Sequence, residues 1–120
     1  MKINIKRTSS VADYDCVQWS SAGLVDRYTS GDFAGIVTDC RDITIDVDGT
    51  DTTYEICTLI TAGQAQARVS STAPQNGSTA YLSGERVASS GSTSIGLIVA
   101  RSFPESGDYA DNDLVNVVIS

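Results

Sequence analysis

The chain contains no histidine. That removes in one step the Ser-His-Asp and Cys-His nucleophile systems, histidine-bearing metal sites and any histidine proton relay. Lysine occurs only as Lys2 and Lys6, so Ser-Lys chemistry has nothing to draw on beyond the N-terminal seven residues. Three cysteines, Cys16, Cys40 and Cys57, make an odd set with no close pair, whereas zinc sites show ligands at short spacing such as Cys-x-x-Cys. They read as reduced thiols packed as small apolar residues. No Gly-x-x-x-x-Gly-Lys-Ser/Thr phosphate loop occurs. Gly31 and Gly35 lead into a strand and not a helix, so they build no dinucleotide loop. No apolar run approaches the ~20 residues of a membrane-spanning helix. The start, Met-Lys-Ile-Asn-Ile-Lys-Arg, lacks the apolar centre of a secretory signal. These absences lead to the expectation of a protein made in a cytosol, not an enzyme, with no cofactor, no metal and no membrane partner.

Charge is scarce in one sign over most of the chain. Net charge is −7, yet Lys2, Lys6 and Arg7 precede the first acid, Asp13. Beyond residue 12 there are five arginines against fifteen acids, a balance of −10. A body of that sign offers no basic face to a phosphate backbone, which argues against nucleic acid as a partner. The division this suggests is an extended basic arm, residues 1–12, before a single β domain, residues 13–120. The alternation of Ile3 and Ile5 suits an arm that adds as a strand to a partner's sheet edge. Lys2, Lys6 and Arg7 would steer it toward an acidic patch, which makes Lys2, Ile3, Ile5, Lys6 and Arg7 the candidate partner-binding residues.

What is present is strand. Residues 94–101 and 32–39 are short β-branched apolar runs, each with one glycine, Gly96 and Gly35, and both read as strands buried on two faces. Glycine inside a strand leaves room for another backbone to come close. Residues 42–60 form the clearest hairpin: Ile43, Ile45 and Val47 alternate with Thr44, Asp46 and Asp48, and Asp48-Gly49 favours a tight turn of positive φ. Residues 2–6, 14–19, 24–28, 64–69, 81–82, 86–88 and 114–119 supply further strands. Polar turns and loops separate them at 70–78, 89–93 and 104–113. No apolar 3.6-residue period runs long enough for a helix. The expectation is an all-β barrel or sandwich of about ten short strands in one domain of 120 residues.

The same spacing, 61 residues, separates Gly23 from Gly84 and Gly35 from Gly96. In each half an aromatic (Trp19, Tyr81) and a Ser-Gly segment precede the glycine-bearing strand. An internal duplication and a chance likeness of Ser/Gly-rich strands both account for this, and the sequence leaves the choice open. Carboxylates are the one catalytic or ionic resource. Asp46, Asp48 and Asp51 cluster at the hairpin tip, where they suit either an acidic turn or an oxygen-ligand Ca²⁺ site, although the twelve-residue calcium-loop spacing is absent. Asp108, Asp111 and Asp113 form a second acidic loop.

Several segments together resemble the small tailed-phage proteins that decorate or cement the capsid. They are the glycine-aliphatic strand Phe33-Ala34-Gly35-Ile36-Val37, the segment Gly77-Ser78-Thr79-Ala80-Tyr81-Leu82, the strand Ile95-Gly96-Leu97-Ile98-Val99-Ala100 and the closing Val115-Asn116-Val117-Val118-Ile119. The likeness covers roughly residues 17–120, and the hairpin at 42–60 is longer than it predicts. It implies a structural virion protein, made in the host cytoplasm and seated on the capsid exterior. Its partners would be the major capsid protein and itself, as a homotrimer, bracing the expanded shell. The rival reading is a carbohydrate-binding or calcium-stabilised β module, with Trp19 or Tyr81 as a stacking platform.

Overall fold

The computed structural model describes residues 1–21, 23–70, 77–99 and 112–120. Every regular element among them is a strand: β1 Lys2–Arg7, β2 Cys16–Ser21, β3 Leu24–Arg27, β4 Phe33–Val47, β5 Thr50–Ile60, β6 Gly63–Arg68, β7 Thr79–Ser83, β8 Arg86–Ala88, β9 Ser94–Val99 and β10 Leu114–Ile119. The all-β expectation stands. Most of the loops read at 70–78 and 104–113 lies outside the described residues, as do Ala100 and Arg101.

The first five strands close into a barrel in the order β1-β3-β2-β4-β5, with β1 antiparallel to β5 and parallel to β3. Val17, Val25, Ala34, Val37, Cys57 and Leu59 fill it, with Val11 and Ile5 packed against them. This corrects the division at residue 12. The basic segment is not a free arm but a stave of the barrel, with Ile3 opposite Leu59 and Ile5 opposite Cys57. Both edges of β1 are taken, so none remains to extend a partner's sheet. Burying alternate apolar residues in a closed barrel wins over leaving them in water.

The remaining strands form a second sheet, β8-β7-β9-β10-β6, and it repeats the first strand for strand. In the first barrel Lys2, Ile3, Asn4, Ile5 and Lys6 face Ile60, Leu59, Thr58, Cys57 and Ile56. In the second, Gln64, Gln66 and Arg68 face Val118, Asn116 and Leu114, with Ala65 and Ala67 opposite Val117 and Val115. That is one register, displaced from 2 to 64 on one strand and from 60 to 118 on the other. Cys16–Ile36 and Val17–Gly35 recur as Thr79–Leu97 and Ala80–Gly96, and Gln18–Phe33 recurs as Tyr81–Ser94. The parallel pair Arg7–Val25 recurs as the parallel bridge Val69–Val87, which brings the two edges of the second sheet together. Single hydrogen bonds recur too: Thr8 N–H to Val25 O at 3.0 Å is matched by Ser70 N–H to Val87 O at 2.8 Å. The chain is a duplicated five-stranded unit. The aromatics do not correspond, because Trp19 matches Leu82 and Gln18 matches Tyr81.

Each unit turns on one glycine. At Gly35 and Gly96 the register skips one residue, Ala34 and Ile95 respectively, and φ is +154° and +156°. A Cβ on Gly35 would fall on the carbonyl oxygen of Ile60, and one on Gly96 on that of Val118, so the bulge brings neighbouring strands into backbone contact. The surroundings of the two strands differ. Ala34 to Val37 are all buried, as expected for β4, but on β9 Leu97 and Val99 are exposed, so that strand is buried on one face only. The two units pack through the outer side of the first: Cys16, Ile36 and Ile60 join the core of the second unit, and Cys16 N–H donates to Glu85 O at 2.9 Å.

Valine at either glycine must displace backbone. Gly35→Val and Gly96→Val should each cost about 1–3 kcal/mol or more, read as a lower midpoint in chemical or thermal unfolding. Melting within a degree or two of the parent would contradict the close approach.

Candidate functional site

β4 and β5 outrun the barrel. Pairing of β5 with β1 stops at Ile56, and pairing of β4 with β2 ends at Ile36, while β4 and β5 continue together to Val47 and Thr50. Beyond Arg41 and Glu55 they form a two-stranded ribbon about 20 Å long at ~3.3 Å per residue. Asp48 and Gly49, with φ of +53° and +82°, close it in the tight turn that the Asp-Gly pair favours. Cross-strand partners share a face, and the two faces are chemically unlike. One carries Ile43–Tyr54, Ile45–Thr52 and Val47–Thr50; the other carries Asp42–Glu55, Thr44–Thr53 and Asp46–Asp51. The alternation anticipated a wet face and a core face. In fact neither face is covered near the tip, and Ile45 and Val47 are exposed.

Arg7 fixes the ribbon to the barrel. Its guanidinium donates to the backbone oxygens of Ile56 (3.0 Å) and Val11 (3.4 Å), and it pairs with Glu55 at 3.3 Å and Asp42 at 3.4 Å. Lys6 lies over the Tyr54 ring, 5.5 Å from its centre. Two of the candidate basic residues therefore serve the chain's own ribbon. Lys2 lines a groove of about 410 Å³ between the units, with Tyr14, Thr38, Gln64, Gln66 and Asn116. Ile5 is half-buried inside the barrel and Ile3 lies exposed at its end. The five candidates do not converge on one partner surface.

The acidic tip is exposed, and Asp46, Asp48 and Asp51 form no ion pair among the described residues. No group of three acids, cysteines or histidines there could hold a metal ion. Asp108 and Asp111 lie outside the described residues. Trp19 is exposed and Tyr81 half-buried. Sequence reasoning passed over Asp13 and Asp15, which tie down the turn before β2. Asp13 accepts from Cys40 N–H at 2.7 Å, and buried Asp15 takes Arg27 Nε at 3.0 Å and Ala12 N–H at 2.9 Å. Across from them, Asp26 is held below the usual carboxylate range chiefly by the Thr8 hydroxyl at 2.7 Å.

All three cysteines are free. Burial pushes the thiols of Cys16 and Cys57 up, and burial with a hydrogen bond to Asp13 pushes Cys40 up to about 12. Since the thiolate is the nucleophile, they are packing residues with little reactivity.

Two expectations follow from these contacts. Arg7→Ala strips donors from two backbone carbonyls and should cost about 1–3 kcal/mol, most of it from those carbonyls, because the partner carboxylates are well solvated. Arg7→Lys should recover little, lacking the planar fork; full recovery by lysine in a denaturant titration would contradict the geometry. Native protein at pH 8 should react slowly with a disulfide reagent and still be accelerating above pH 9, while unfolded protein labels all three thiols at once. Rapid native labelling would place a thiol outside the core.

Compared with protein-family models, curated proteins and solved structures, the chain matches none of them.

Proposed function

We propose that the protein is a structural decoration protein of a tailed-phage head, one that binds the outside of the expanded shell and braces it by joining capsid subunits. The observation that carries the reading is the ribbon. A duplicated barrel holds a two-stranded projection whose apolar face leaves Ile45 and Val47 exposed beyond half-buried Ile43, and whose acidic face ends in Asp46, Asp48 and Asp51. Anchoring by Arg7 gives it one direction, which lowers the ordering cost of docking. Its chemistry suits a shallow apolar groove with a basic rim on the major capsid protein. The absence of histidine leaves little for catalysis, and the resemblance of the four segments named above points the same way. Binding energy is then the whole mechanism: many modest contacts repeated over a lattice add through multivalency. Trimers on the local threefold positions of the shell belong to the same proposal.

The test is co-sedimentation with expanded heads of the phage whose genome carries this coding sequence. The parent protein should pellet with heads, and Ile45→Asp combined with Val47→Asp should stay in the supernatant while melting like the parent. Should the parent itself remain in the supernatant, the decoration reading falls; should the double variant pellet equally well, the ribbon is not the contact.

A further inference from the structure

We infer that copies of this chain associate head to tail, the outer face of the second unit in one copy seating on the open end of the first unit in the next. The inference gives a surface to the self-association in the proposed function, but it stands on the repeat geometry and not on capsid binding.

The junction inside the chain has two halves. One is a row across three neighbouring strands on the outside of the first unit, Cys16, Ile36 and Ile60. The other is one end of the second unit, where β6 and β9 begin and β7 and β10 finish. Glu85, in the β7–β8 turn at that end, accepts from Cys16 N–H, and Ile95 and Ile119 line a cleft with Phe33, Ala34 and Thr61 of the first unit. The row and the end share a single core that includes Ala65, Leu82, Ile95 and Ile119.

The register carries each half onto its counterpart. The row Cys16–Ile36–Ile60 becomes Thr79–Leu97–Val118 on the second unit. Ile36 and Ile60 are matched by the equally apolar Leu97 and Val118, yet they are 0% and 6% exposed where Leu97 and Val118 are 51% and 41%. The end formed by Ala65, Leu82, Ile95 and Ile119 becomes Ile3, Trp19, Ala34 and Thr61 on the first unit; Ala34 and Thr61 border the internal cleft, and Ile3 and Trp19 are the exposed part. There Trp19 is 43% and Ile3 37% exposed, against 8% for Leu82 and 3% for Ala65.

Each molecule therefore presents both halves of a junction that it has already made once within itself. Among the described residues, the exposed large hydrophobics outside the ribbon are Met1, Ile3, Trp19, Leu97, Val99 and Val118, and all six fall on these two surfaces. The face is flanked by the uncharged Gln64, Gln66 and Asn116, with Lys2 in the groove beside them and Arg68 next along β6. Because the surfaces differ, the contact is heterologous, and it yields a ring if the rotation closes or an open chain if it does not.

The test is the mass of the full chain by sedimentation velocity and native mass spectrometry. The parent should be oligomeric at high micromolar concentration. Leu97→Glu spoils the face and Trp19→Glu the end, and each alone should give monomer with an unchanged melting temperature, since both side chains are exposed. Val118→Glu and Ile3→Glu repeat the two arms should either first choice cost the fold. Mixed in equal amounts, a face variant and an end variant retain one good face and one good end between them, so they should form dimers that grow no further. A monomeric parent, a variant that still oligomerises, or a mixture that stays monomeric overturns the inference. Head binding is read by co-sedimentation, so either proposal can fail without the other.

Discussion

The fold depends on two places where one strand's backbone lies against the next strand's carbonyl: Gly35 on Ile60 and Gly96 on Val118. Five short strands make a narrow tube, and a narrow tube requires the sheet to coil tightly. A bulge supplies the extra twist, and a residue without Cβ lets the coiled strands meet. Because the bulged residues Ala34 and Ile95 turn inward, each unit gains an apolar contact at the place where the ladder is interrupted. The same device at the same position in both halves argues that the duplication preserved a mechanical solution while the remaining residues diverged.

Each unit is about sixty residues, a size at which a lone core is marginal. Packing the outer row Cys16, Ile36 and Ile60 into the second core enlarges what each unit buries by itself. β1 is exposed over most of its length and carries two lysines and an arginine. The lysines point outward from the barrel, while Arg7 is spent on the ribbon's base, where carbonyls of Ile56 and Val11 need a donor. Position 69, the counterpart of Arg7, is a fully buried valine. One repeat thus uses this position to orient a projection and the other to fill a core.

Local pattern carried the strands, the Asp48-Gly49 turn and the glycine spacing because each rests on neighbours in sequence. What it could not carry were relations between strands far apart. β1 has the same letters whether it waves in water or closes a barrel; the difference lies in β5, more than fifty residues away. Strands β4 and β9 share one pattern, yet only β4 has a second unit lying on its outer face, so Ile36 is buried and Leu97 is not. The ribbon's apolar alternation looked like a core face for the same reason: the sequence shows which residues share a side, not whether anything lies against it. The one available warning was length, since the alternation at 42–60 runs beyond what the flanking short strands could pair.

The two kinds of exposed apolar surface differ in their defences, and that difference separates their roles. Repeat arrays end in polar caps when their terminal faces are meant to stay in water. Here the terminal surfaces carry Ile3 and Trp19 at one end and Leu97 and Val118 at the other. The ribbon is guarded differently: Asp46 faces Asp51 directly across the strands, and Asp48 stands at the turn. Like charges so placed weaken the ribbon slightly and oppose stacking of one acidic face on another. A surface protected against its own kind yet left apolar on its reverse is suited to a different partner. Surfaces that reproduce an internal junction are suited to the same chain.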